Sequence, residues 1–377
     1  DTRLLVTPKY DMTCADQYVY VVAFDEAGNS SQSQTFIIPQ SDPCISIISA
    51  NESTSESSSE SSSESTSQTY FAVTFGGVSN DKAYNIAVDS SGNTYITGYF
   101  QNTVDFGGGD ITSAGYGDIF VLKLNSSGVF QWVKTYGNTN GEQGEDIAVD
   151  SSGNVYITGG FRETIDFGGG DVTSAGNKNI FVLKLNTSGV FQWVKTYGGT
   201  LTDIGYGIAV DSSSNVHITG GFRGTVDFGG GDITSAASSS DIFVLKLNSS
   251  GVFQWVKTYG GTSNEYGYDI ALDSSGNTYI TGTFLGTVDF GGGNVTSVGN
   301  EDIFVLKLNS SGEFQWINNY GDTLSDWGYG IAVDSSSNVY ITGYFIGTVD
   351  FGGGDITSAG AGDIVVLKTN SSGGGIE

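Results

Sequence analysis

From Tyr70 onward, short apolar runs alternate with Ser/Gly/Asn turns, and the whole pattern repeats. Asp89, Asp150, Asp211, Asp273 and Asp334 stand 61, 61, 62 and 61 residues apart. Phe106, Phe167, Phe228, Phe290 and Phe351 keep the same step, as do Lys123, Lys184, Lys246, Lys307 and Lys368. A fixed period of this size marks a solenoid, a propeller or an array, because one unit cannot bury its apolar faces alone.

Each unit holds four strand-like runs. In the second copy they are 147–150, 155–161, 180–186 and 190–197. The turns SSGN and NTSG join the first pair and the last pair, which makes both pairs hairpins. Ile180-Phe-Val-Leu-Lys-Leu is apolar on both faces, as a strand between neighbouring sheets must be. Phe191, Trp193 and Tyr197 alternate with more polar residues, which suits an outermost strand with one wet side. Four strands per unit, stacked face to face, describe a propeller blade.

The ends of the array suggest closure. The fifth copy lacks the FQWVKTYGG strand, and Tyr70–Gly77 resembles that strand, with Thr74-Phe75-Gly76 matching Thr135-Tyr136-Gly137. An N-terminal strand completing the last blade would close the ring and remove its open edges. The expected fold is therefore all-β: a five-bladed β-propeller of four-stranded blades over residues 69–377.

Residues 1–50 are different. Two apolar runs, 18–24 and 35–38, flank the turn signal DEAGN and read as a hairpin. Cys14 and Cys44 are the two cysteines of the chain. A bridge between them would close a loop of about 30 residues, worth ~3–4 kcal/mol in the chain-entropy model, and would fit an oxidising compartment. The alternative is two unrelated buried thiols. Residues 51–68, NESTSESSSESSSESTSQ, have nothing apolar to bury and read as a solvated Ser/Glu spacer, or as an O-glycosylated stalk.

Two resemblances follow from these residues. The pattern AVDSSGNVYITG…DFGGG…TSAG…DIFVLKLNSSGVFQWVKTYGG is similar to the SBBP β-propeller repeat of bacterial and some archaeal secreted proteins. That family name implies seven blades, whereas this chain has material for five. The run YVYVVAFDEAGNSSQSQTFII resembles the last strands of HYR-type immunoglobulin-like surface modules. It implies a small, partial immunoglobulin-like β module.

Charge and composition narrow the function. The chain has 41 Asp plus Glu against 14 Lys plus Arg, a net charge of −27, and one His. That balance repels nucleic acid and anionic membrane surfaces. No apolar run approaches the ~20 residues of a membrane helix, so membrane insertion is not expected. A single His leaves little material for general acid–base chemistry, which disfavours an enzyme.

Candidate sites lie where the copies differ. The segments between blades vary, and so do Tyr116-Gly117, Asn177-Lys178, Ser238–Ser240, Asn300-Glu301 and Ala361-Gly362. In a propeller both sets fall on one face, where loops on a rigid scaffold carry recognition. Asp203, Tyr206, Glu265, Tyr266, Asp326 and Trp327 are the contact candidates, with drift in unconstrained loops as the alternative. Asp-Ser-Ser-Gly-Asn superficially resembles a calcium loop but lacks its alternating carboxylates, so a hairpin turn is the better reading. Asp105–Asp110 could place two carboxylates around a cation, and repeated bends explain it as well. No cofactor is expected beyond that weak calcium signal. Lys123 and its equivalents are expected to pair with a recurring Asp. His217, which replaces the Tyr of its sister copies, needs no chemistry. Sequons stand at Asn29, Asn51, Asn125, Asn186, Asn248, Asn294, Asn309 and Asn370, and could carry N-glycans in a suitable host.

The expectation is an extracellular, cell-surface or appendage protein without enzymatic activity. Its partners would be glycans, cell-surface proteins, or other copies of itself joined through the N-terminal module by strand addition. A carbohydrate-binding lectin is the alternative, and a polysaccharide-cleaving enzyme ranks below both.

Overall fold

The computed structural model describes residues 71–374, together with the strands Val19–Phe24 and Ser30–Phe36. The chain divides into two compact units, Asp1–Ser46 and Ile47–Glu377. In the first, the two strands pair antiparallel with an irregularity between Val21 and Ala23, as expected of a hairpin. Cys14, Cys44, Asn29, Asn51 and the Ser/Glu segment lie outside the described residues, as does the wider immunoglobulin-like module.

The second unit is a five-bladed β-propeller. Blade two shows the plan: an inner strand Gln143–Val149, then Val155–Phe161, Asn179–Leu185 and the outer strand Phe191–Tyr197, paired antiparallel in that order. Inner strands Lys82–Val88, Ile204–Val210, Tyr266–Leu272 and Trp327–Val333 open the other blades. Each of the first four packs on the inner strand of the next blade along the array. In blades one to four the third strand is buried on both faces, as its unbroken apolar run requires. Ile180 and Val182 share a core with Ile208, Ile218 and Phe243 of blade three. Phe181 and Leu183 share one with Ile119 and Val121 of blade one. Each such side chain contributes roughly 1.5–3 kcal/mol by leaving water, so the apolar driving force lies between blades.

Close packing of the blades needs glycine at one point. A Cβ on Gly144, Gly205 or Gly267 would sit 2.2 Å from the hydroxyl of Thr97, Thr158 or Thr219 in the preceding blade. Those hydroxyls are themselves fixed, donating to the carbonyls of Phe120, Phe181 and Phe243 at 2.9 Å.

Lys123 departs from expectation. Its Nζ donates to the Thr187 carbonyl of the next blade's turn at 3.1 Å and lies 4.9 Å from the Tyr95 ring centre. Lys184, Lys246 and Lys307 reach Ser249, Ser310 and Ser371 in the same way. The ammonium clips one blade to the next; only Lys246 also approaches a recurring Asp, Asp211, at 3.6 Å.

Between the second and third strands each blade carries a two-stranded hairpin, Thr103–Asp105 with Asp110–Thr112 in blade one. Asp105 Oδ1 accepts the N–H groups of Gly107 and Gly109, so the DFGGGD segment is a turn closed by its own carboxylate. The hairpin had read as bends because three-residue strands are too short to show a period. In blade three the connection that follows is one residue longer. A 3₁₀ turn at Ala236–Ser238, with Ala237 and Ser238 at φ of 48° and 63°, absorbs the extra residue before Ser240–Leu247 resumes the ladder.

Closure is the detail that the structure corrects. Among the described residues the last blade has three strands, Trp327–Val333, Val339–Phe345 and Asp363–Thr369, beside its own two-stranded hairpin. Residues 71–77 form no strand. They lie against blade one instead, where Val73 and Phe75 pack beside Phe106 and Phe120. The two end faces of the array do not cover one another: Ile86 and Val88 at one end, and Ile364 and Val366 at the other, are exposed.

Candidate functional site

The first residue of the inner strands differs in every copy, and the third is tyrosine in all but one. The first is Lys82, Gln143, Ile204, Tyr266 or Trp327, and the third is Tyr84, Glu145, Tyr206, Tyr268 or Tyr329. Variation that reads from sequence as loop drift is therefore partly on strands. Alternation puts these two positions on one side, with the close-packing glycine between them facing the preceding blade.

In blades three to five this side is an aromatic row. Tyr206 meets Tyr266 and Tyr268 at ring distances of 6.2 and 5.5 Å, and Tyr268 meets Tyr329 at 5.7 Å. Trp327 continues it, 6.1 Å from Tyr329 and 5.8 Å from Tyr344. These rings are partly accessible, and Tyr329 is exposed. Burial and the neighbouring phenols push the Tyr268 hydroxyl up to about 12, so it stays a neutral donor.

Blade two breaks the row with Glu145. Burial raises its carboxyl, while Lys178 acts the other way. Lys178 is buried, its Nζ donates to Gln143 Oε1 at 3.1 Å, and burial pulls its ammonium down. Beside it a polar cleft of about 560 Å³ is lined by Tyr99, Tyr116, Glu142, Arg162 and Lys178 among others. Tyr99 lies 5.9 Å from Tyr84, so the cleft borders the inner strand of blade one.

The structure separates the contact candidates into two groups. Tyr206, Tyr266 and Trp327 belong to the row. Asp203, Glu265 and Asp326 are fully buried and are corrected to structural groups. Asp203 accepts from the backbone N–H of Gly199 and Arg223, Glu265 from Gly261, and Asp326 from Asp322 and Ile346. Asp81 and Glu142 hold the same place in blades one and two. Recurrence of an acid at 81, 142, 203, 265 and 326 was itself the sign of a structural role. Tyr84, Glu145, Tyr268 and Tyr329 are not among the contact candidates, and Lys178 stands there only as a variable position, although the Tyr-Gly-Tyr and Trp-Gly-Tyr spacing carries the signal of a strand with one aromatic side.

On the inner strands, Asp146 and Asp269 are each held by backbone donors, with the Asp269 carboxyl near enough to raise Asp146 further. Asp146 accepts from Asn85 Nδ2, and from the N–H groups of Ile147 and Ile208 at 2.7 and 2.6 Å. Asp269 accepts from those of Ile270 and Ile331 at 2.7 and 2.8 Å. Burial raises both, Asp146 strongly and Asp269 to about 6. With their oxygens occupied, both act as braces between inner strands.

The Asp89 turn is likewise self-sufficient: its carboxylate accepts from Ser91 N, Asn93 N, Asn93 Nδ2 and the Tyr95 hydroxyl. Among the described residues no three His, Cys, Asp or Glu side chains gather as a metal site, and no helix is long and apolar enough to cross a membrane. Asn125, Asn186, Asn248, Asn309 and Asn370 each use Oδ1 to close their turn, and Asn294 is exposed on a hairpin strand.

Residues 74–99, 131–159, 192–220 and 315–344 match the family described as SBBP, beta-propeller repeat. The chain carries SBBP repeats in four places. Each matched stretch runs from an outer strand into the inner strands of the next blade, and 74–77 takes the outer-strand place in the first. The chain is also 25% identical, over 267 residues, to an uncharacterised WD repeat-containing protein of Acanthamoeba polyphaga mimivirus. The alignment covers 59% of this chain and 19% of that relative's length.

Proposed function

We propose that this SBBP-repeat propeller is a non-enzymatic, extracellular surface protein that recognises carbohydrate through the aromatic row of blades three to five. The observation that carries this reading is the run Tyr206, Tyr266, Tyr268, Tyr329 and Trp327, adjacent rings within 5.5–6.2 Å of one another. Ring faces stack on the C–H faces of sugars, and phenol and indole edges supply the hydrogen bonds that fix orientation. The net charge of −27 turns acidic polysaccharides away at long range, which favours neutral glycans. The Ser/Glu spacer and the resemblance to secreted repeat proteins support a surface location.

A glycan array probed with the full chain, followed by titration of the best neutral oligosaccharide, tests the reading. Tyr268→Ala and Trp327→Ala are each expected to weaken binding by about tenfold, the loss of ~1.4 kcal/mol of stacking. No binding on the array, or binding indifferent to both substitutions, overturns it.

A further inference from the structure

The same blade-to-blade contact is made four times within the chain, and its two halves are left over at the ends. On the trailing side, Ile119, Ile180, Ile242 and Ile303, with Val121, Val182, Val244 and Val305, are 0% exposed because the next blade covers them. Their equivalents in blade five, Ile364 and Val366, are 83% and 68% exposed. On the leading side Ile147, Ile208 and Ile270 are 4% exposed, whereas Ile86 of blade one is 59% exposed. Blade one's leading face forms an apolar cleft of about 710 Å³, lined by Phe71, Phe75, Ile86, Ile96 and Leu122 among others.

The polar parts of the contact are also left over. Lys368 stacks on Tyr340 as Lys123, Lys184 and Lys307 stack on their tyrosines, but among the described residues it has no turn carbonyl to donate to. The matching acceptor, Ser126 O, lies in blade one's turn. Trp132, Trp193, Trp255 and Trp316 each cover the turn glycine of the next blade, and Phe71 covers Gly128 in the same manner. Residues 71–77 thus already hold the position of an outer strand, with no blade beside them to pair with. Asp363–Thr369 is a third strand whose outer edge is unpaired among the described residues.

We propose that blade five of one copy seats on blade one of a second copy, whose residues 71–77 add the missing outer strand along Asp363–Thr369. A second copy is the occupant these faces fit, because both halves of the contact are those the chain already buries four times. The two ends of one copy leave each other uncovered. The contact is heterologous, so it propagates into a ring or a filament rather than stopping at a two-fold dimer. One position departs from the internal contact: Ala83 stands where Gly144, Gly205, Gly267 and Gly328 allow the closest approach, and its methyl would hold the incoming blade slightly off.

Light scattering of the full chain at rising micromolar concentration reads the association, which is expected to at least double the apparent mass. Ile364→Asp and Ile86→Asp each spoil one end, at positions exposed enough that the thermal transition should not move, and each variant alone is expected to stay monomeric. Mixed in equal amounts, the two should form a dimer and nothing larger, because one intact pair of faces remains. Ala83→Gly is expected to tighten wild-type association several-fold. A wild-type chain that stays monomeric, or an assembly that survives both aspartates because other surfaces hold it, overturns the proposal. Glycan binding is not involved in any of these readouts.

Discussion

His217 lies 3.7 Å from Asp211, too far for the hydrogen bond that every sister blade makes at this place. Tyr95, Tyr156, Tyr279 and Tyr340 donate their hydroxyls to Asp89, Asp150, Asp273 and Asp334 at 3.0–3.2 Å. The imidazole instead bonds through Nδ1 to Thr278 at 3.0 Å and leaves Nε2 buried without a partner. Thr94 of blade one is a threonine at the same place, whereas blades two, three and five have Val155, Val216 and Val339 there.

His217 and Thr278 should therefore be coupled. His217→Tyr alone regains the bond to Asp211 but orphans the Thr278 hydroxyl, so its net effect should be near zero. The double variant with Thr278→Val should be more stable than wild type by about 1–2 kcal/mol. Urea titration of the four proteins checks both the gain and its non-additivity.

A second prediction concerns pH. At three junctions a third-strand acid faces the buried loop acid of the next blade: Asp118 with Glu142, Asp241 with Glu265, and Asp302 with Asp326. Burial foremost, and the facing carboxyl next, raise Glu142 to about 7, Glu265 to about 8, and Asp302 to about 6. Folded values above unfolded ones mean the native state holds extra protons, so this stability is present below about pH 4.5 and is lost as pH rises through 6 to 8. The hairpin acids Asp89, Asp150, Asp273 and Asp334 are lowered by their hydrogen bonds and lose stability below pH 4. His217, lowered by burial, also costs stability as pH falls below about 6.5. The melting temperature should be highest on the mildly acid side and fall toward pH 8. Glu142→Gln and Glu265→Gln together should flatten that fall. Blade two has already made such a neutral replacement, with Asn179 where the sisters have Asp.

The third prediction tests the blade contact. Gly267→Ala drives a methyl to 2.2 Å from Thr219 Oγ1, and should cost about 1–3 kcal/mol of stability. Thr219→Ala in the same chain should recover part of the loss, and thermal unfolding measures both. The same methyl is native at Ala83, where no blade of the same copy packs.

The period of the sequence made the blades, their number and their four-strand plan legible, because each copy repeats the same apolar runs. The start of each inner strand was not, since Gln143–Asp146 is polar and masks the strand until its neighbours are seen. Partner choice was equally hidden. The expectation that Lys123 meets a carboxylate followed from charge alone, whereas the clip to Thr187 O depends on how the next blade's turn is presented. Closure was misread for a related reason: residues 71–77 carry the right residue types for an outer strand, and residue type does not say which copy's edge they pair with.

The 3₁₀ turn at Ala236–Ser238 shows where this scaffold tolerates change in length. An extra residue enters there, yet Arg223 still pairs with Ser240 and the ladder from Phe222 to Val216 keeps its register. The corresponding connections bear Tyr116, Lys178, Glu301 and Ala361, which adjoin the aromatic row or the polar cleft. New chain can thus be spliced beside the aromatic row without disturbing the cores between blades. Duplication supplies the frame, and this connection is one place where a copy can differ in length from its sisters.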